Sequence, residues 1–136
     1  MGVVEYASSE ARQHWREVLD AARDGRAVIV RRDDTSAAVL DANRLRHFLA
    51  SVVPSRAVII PEGDQFSIYL QEQPIAADGV TLDDAVEEMI RALRTYAVAW
   101  HDVLGSALNH RDNWGLVQLI DLSTDDQLCI WLTGEQ

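Results

Sequence analysis

Three groups of residues in this 136-residue chain have the types and spacing to do chemistry. Arg12 and Arg16 stand four apart in SSEARQHWREVLD (8–20), and Arg31 and Arg32 close the apolar run AVIVRR (27–32). Guanidinium groups suit bidentate contact with guanine and ionic contact with phosphate. Asp83, Asp84, Glu87 and Glu88 make an acidic stripe in TLDDAVEEM (81–89). Such a stripe suits either solvent or a basic partner. His101, Asp102, His110 and Asp112 gather around HRDNWG (110–115) and raise the question of a metal. A helical metal site pairs histidines at i and i+4 with a carboxylate on the same face. His101 and His110 are instead nine residues apart across an expected helix end, so a polar loop that caps the helix is the expected reading. No metal, cofactor or catalytic residue is assigned. The chain has no G-x-S-x-G, no Walker loop and no G-x-G-x-x-G, and LGSALN (104–109) does not supply one, which argues against an enzyme. His14 and His47 lie on expected ordinary helices and receive no role.

The charge that surrounds these groups is uneven. Net charge is −10, with twelve arginines and no lysine. Residues 1–55 hold eight arginines against eight acids, a net of zero. Residues 56–136 hold four arginines against fourteen acids and carry the whole excess. That split predicts two modules with different partners, residues 1–54 and 55–136. Hydrophobic residues make up 48% and interleave with polar ones, as in a folded globular chain. No apolar run approaches the roughly 20 residues of a membrane span. Residues 1–12 lack the basic and apolar regions of a secretory signal. Gly2 fits a myristoylation pattern only with Ser or Thr at position 6, where Tyr6 stands. Cys129 alone forms neither an internal disulfide nor a cysteine zinc site, which fits a cytoplasmic location.

The elements that must position these residues follow from periodicity and caps. VVEYAS (3–8) is an extended segment, and Ser8 or Ser9 is expected to cap a helix with Glu10 in its first turn. Ala11, Trp15, Val18, Leu19 and Ala22 form its apolar face, with Trp15, Val18 and Leu19 expected to hold it against a small sheet. Gly25 ends it. Strands at 27–32 and 37–41 flank a DDTS loop, and a helix over 42–52 ends before Pro54. Strands at 56–62 and 65–72 surround an EGD turn, and 74–79 is a weaker third strand. Thr81 caps a helix of more than twenty residues with an apolar face from Leu82 to Val103. Periodicity leaves GLVQLIDL (115–122) as strand or helix; in the expected element order it stands as a strand. A Thr124-x-x-Gln127 capping box opens a last helix. The expected class is α+β, with β-α-β-β-α followed by β-β-β-α-β-α.

The first half resembles the N-terminal module of the Phd/YefM, or prevent-host-death, antitoxins. The resemblance rests on SEAR entering the first helix, EVLDAARDG at 17–25, the AVIVRR strand, and AAVLD leading into a short helix. It departs at the hairpin, where Asp33, Asp34, Thr35 and Ser36 replace a basic, glycine-containing turn. The resemblance implies a DNA-binding homodimer, or a higher homo-oligomer, that represses its own operon. It places Arg12 at the family's DNA-contacting arginine, Arg31 or Arg32 in the region of a second, and Arg16 as a helper. The second half, through DGVTLDDAVEEMIRALRTY (78–96) after two strands, is similar to a HicB-like antitoxin domain with a partial RNase H-like fold.

Together these resemblances imply a type II antitoxin that binds operator DNA and a cognate toxin, with no membrane partner. RNA-cutting toxins are usually basic, so the acidic half, with Asp83, Asp84, Glu87 and Glu88, is the expected toxin-binding surface. The alternative is an orphan transcription regulator whose C-terminal domain senses a small ligand.

Overall fold

The structure, a computed structural model, describes residues 3–134, so the reading of Gly2 falls outside it. The chain forms two compact units, Met1–His47 and Phe48–Gln136, and the division falls within a helix.

The first unit contains β1 (Val4–Ala7), α1 (Ser8–Gln13), α2 (Trp15–Arg23), β2 (Val28–Arg32), β3 (Thr35–Val39) and the start of α3 (Ala42–Val52). The sheet order is β1-β2-β3, with β1 parallel and β3 antiparallel to β2. A parallel neighbour requires a crossover, and α1 with α2 supplies it. Their inward residues Ala11 and Val18 pack on Val28, with Val4, Tyr6, Val30 and Val39 around them.

Four local expectations change here. The N-cap is Ala7, not Ser8 or Ser9; β1 runs straight into α1, and both serines are already helical. Glu10 reaches back to accept from the Ala7 N–H at 3.2 Å, which satisfies a donor at that end. The single expected helix is also two, broken at His14, whose φ of −117° and ψ of 33° leave the helical region. The His14 ring stacks on Tyr6 of β1, with centroids 5.9 Å apart, which ties the break to the sheet. Val18 and Ala22 then face inward, whereas Trp15 and Leu19 are each 48% exposed and do not hold the helix to the sheet. Finally, the hairpin turn is Asp33-Asp34 alone. Asp33 has a φ of 54°, which an aspartate tolerates, and Thr35 pairs with Arg32 as the first residue of β3. The end of α2 is as expected: Gly25 is left-handed, its N–H bonds the Ala22 carbonyl, and Arg26 N–H bonds the Ala21 carbonyl, a Schellman closure.

The second unit begins with the end of α3 and an antiparallel sheet, β4 (Ala57–Glu62), β5 (Gln65–Leu70) and β6 (Ala76–Gly79), in that order. Helix α4 (Leu82–Asp102) follows, capped by Thr81 Oγ1 accepting from Asp84 N–H at 3.1 Å. Two 3₁₀ turns, Leu104–Ser106 and Arg111–Asn113, lead to α5 (Trp114–Leu122) and α6 (Asp125–Thr133). The core joins Ile68 and Leu70 of β5 to Met89 and Leu93 of α4, Val117 and Ile120 of α5, and Leu128 of α6. The face expected on α4 is buried from Ala85 to Ala97, while Leu82 and Val103 at its ends are exposed.

The strand assignment for 115–122 is corrected: the segment is helical, and the second half runs β-β-β-α-α-α rather than β-β-β-α-β-α. Leu116, Val117, Leu119 and Ile120 are buried. That spacing is one face of a helix, and burying the same four in a strand would need cover on both faces. With α4 already beside it, the segment buries them on one side. No described helix is long and apolar enough to cross a membrane.

Candidate functional site

In the first unit, Arg12 lies in the last turn of α1 and Arg16 in the first turn of α2, so the break at His14 separates them. Both are exposed, and neither has an ion pair among the described residues. Three nearby acids are engaged elsewhere, while Glu17 beside Arg16 has no ion pair among the described residues. Glu10 caps α1, Glu5 pairs with Arg31 at 3.2 Å, and Asp20 pairs with Arg23 at 3.6 Å. Strand alternation separates Arg31 from Arg32. Arg32 shares the face of Val28 and Val30, which α1 and α2 cover. Arg31 shares the opposite face with Glu5. The helix-bearing side thus carries Arg12, Arg16 and Arg32, none in an ion pair among the described residues.

In the second unit, Asp83, Asp84, Glu87 and Glu88 are all exposed on the first half of α4. They divide into two i,i+4 rows. Glu88 is ion-paired with Arg91. Asp83 and Glu87 line a groove of about 650 Å³ between α4 and α6, and Asp125 and Asp126 line its other wall. Val86, Ile90 and Cys129 supply its apolar floor. Arg94 staples the two walls: it donates to the Ile120 carbonyl at 2.6 Å, the Ser123 carbonyl at 2.9 Å and Asp125 Oδ1 at 2.7 Å. Sequence reasoning missed Asp125 and Asp126. The capping box put them in the first turn of α6, but nothing local signalled that α6 lies along α4.

The histidine cluster is not assembled. His101 Nε2 lies 2.7 Å from Asp121 Oδ2, and His110 Nδ1 lies 2.9 Å from the Tyr96 hydroxyl. Among the described residues no three of His, Cys, Asp and Glu come together to hold a metal.

No family model matches the chain, and no curated protein matches it. The chain is similar in structure to a crystal structure from Syntrophomonas wolfei subsp. wolfei, described as an antitoxin part of a candidate toxin/antitoxin system. The two share 13% identity and a TM-score of 0.76 over 96% of each chain. At that identity the likeness is one of fold. It extends over nearly the whole of both chains, mixed α+β in class with two small sheets here.

Proposed function

We propose that this chain is a cytoplasmic, non-enzymatic antitoxin: a homodimer that binds operator DNA through a Phd/YefM-type N-terminal module and a cognate toxin through an acidic, HicB-like C-terminal half. The observation that carries the reading is the fold likeness, over 96% of both chains, to a protein described as an antitoxin part. Two features of this chain support it independently of that likeness. Arg12, Arg16 and Arg32 are exposed and without ion pairs among the described residues on one side of the first unit. The excess charge of −10 lies wholly in residues 56–136.

In a two-fold dimer each arginine occurs twice, which suits a palindromic DNA site. Arg12 and Arg32 make base or phosphate contacts, Arg16 adds phosphate contact, and Arg31, with one guanidinium nitrogen on Glu5, keeps further N–H donors for DNA. Asp83, Asp84, Glu87 and Glu88 attract a basic toxin and speed its approach.

The test uses the purified full chain with DNA from upstream of its own coding sequence, and co-expression with the neighbouring gene. The antitoxin reading expects a salt-sensitive mobility shift and rescue from the neighbour's toxicity. Absence of both sinks it. A shift with no toxic neighbour would favour the orphan regulator.

A further inference from the structure

We infer that the second unit holds a binding site for a free α-amino acid with an apolar side chain. The site is a cavity of about 230 Å³ where the segment after α3, the end of β5, the start of α5 and α6 meet. Drug-sized ligands occupy roughly 300–1,000 Å³, so this cavity is scaled to a smaller metabolite. Its charges all stand at the mouth. Arg56 pairs with Glu72 at 2.8 Å, and their side chains are 57% and 72% exposed. Only one guanidinium nitrogen engages Glu72, which leaves further N–H donors for a ligand. Asp112, exposed at the same mouth, has no hydrogen bond or ion pair among the described residues. Arg56 also holds a left-handed backbone, φ 48°, which is mildly unfavourable for an arginine.

The floor is uncharged and largely satisfied. Leu70 and Leu116 are buried, and Trp131 is fixed by its indole N–H on the Val53 carbonyl at 2.7 Å. Gln73 and Asn113 bond each other reciprocally at 3.0 and 2.8 Å, and Asn113 donates its other N–H to the Tyr96 hydroxyl at 2.8 Å. A ligand therefore gains by keeping both signs of charge at the mouth and pointing an apolar group inward. An α-amino acid does so: its carboxylate meets Arg56, its ammonium meets Asp112 and Glu72, and its side chain lies on Leu70, Leu116 and Trp131. A lysine or arginine side chain inserted from a protein would set its charge on the uncharged floor. A nucleotide would bring phosphate to two carboxylates. The inference stands apart from the antitoxin reading, because its test measures binding to the chain alone.

The test is an NMR titration of the ¹⁵N-labelled full chain with L-leucine, read at the Trp131 indole N–H. Glycine, 4-methylpentanoate and 3-methylbutylamine remove the side chain, the ammonium and the carboxylate in turn. Saturable shifts with L-leucine are expected, and each analogue should bind about tenfold more weakly or worse. Asp112→Asn and Arg56→Gly should each weaken L-leucine binding about tenfold. Glycine suits the left-handed backbone at 56, so that variant keeps its fold. No saturable shift by concentrations on the order of 10 mM overturns the inference. So does equal binding of the amine alone, or unchanged affinity in both variants.

Discussion

Arg12 stands exposed at the end of α1 without an ion pair, while Glu10 caps that helix and Glu5 pairs with Arg31. Its side chain therefore reaches a ligand without first breaking an internal bond. Arg12→Ala should lower operator affinity about tenfold and flatten the salt slope by about 0.9 for each phosphate left unneutralised. Filter binding across a salt series checks this; an unchanged slope removes Arg12 from the DNA surface. Glycines give a second residue-scale test, of stability. A Cβ on Gly79 would lie 2.2 Å from the Ala85 nitrogen, where β6 passes into the first turn of α4. Backbone cannot yield as a flexible side chain can. Gly79→Ala should cost about 1–3 kcal/mol in denaturant unfolding, comparable to overpacking a core. Gly63, at φ 60°, meets nothing within 4 Å, so Gly63→Ala should cost only about 1 kcal/mol, for its backbone conformation. Equal destabilisation at the two sites would refute the steric argument.

At the scale of elements, the strands and the capped helices were legible, whereas the first helix is broken at His14 and 115–122 is helical rather than a strand. Helix α3 begins and ends where its pattern and Pro54 placed it, and the Thr124–Gln127 box forms both of its bonds, at 3.1 and 2.9 Å. Thr124→Ala should cost about 1 kcal/mol and fray α6, visible as faster hydrogen exchange of its first turn. The acidic stripe splits by face: Asp83 and Glu87 border the α4–α6 groove, whereas Glu88 is tied to Arg91. Reversing all four charges should slow toxin association about tenfold and leave DNA binding intact. Asp83→Lys with Glu87→Lys should slow it more than Asp84→Lys with Glu88→Lys. Stopped-flow association at low salt separates these outcomes, and identical rates for all variants would make the stripe a merely solvated face.

For the whole molecule, charge and symmetry set the expectations. The negative excess in residues 56–136 should make toxin association slow steeply with ionic strength, since screening acts within about 10 Å at 0.1 M salt. A homodimer should appear in light scattering at twice the 15.2 kDa chain mass, and a monomer at operator-binding concentrations would remove the two-fold DNA argument. Trp15 and Leu19, each 48% exposed on α2, are apolar surface that the first unit leaves uncovered.

What the sequence determined by itself was local: the helix ends at Gly25 and Pro54, the Thr81 and Thr124 caps, the alternation of Phe66, Ile68 and Leu70, and the split of charge between the halves. The charge split is a count over each half; every other feature depends on residues within a few positions of one another, where propensity and hydrogen-bonding chemistry act directly. Only the tertiary structure decided that 115–122 is helical, because a short apolar run is compatible with either period until a neighbour offers it one face. It also separated Arg31 from Arg32, turned Trp15 and Leu19 outward, and set Asp125 and Asp126 across a groove from Asp83 and Glu87. Those outcomes depend on which surfaces meet across long stretches of chain, and no local pattern encodes that.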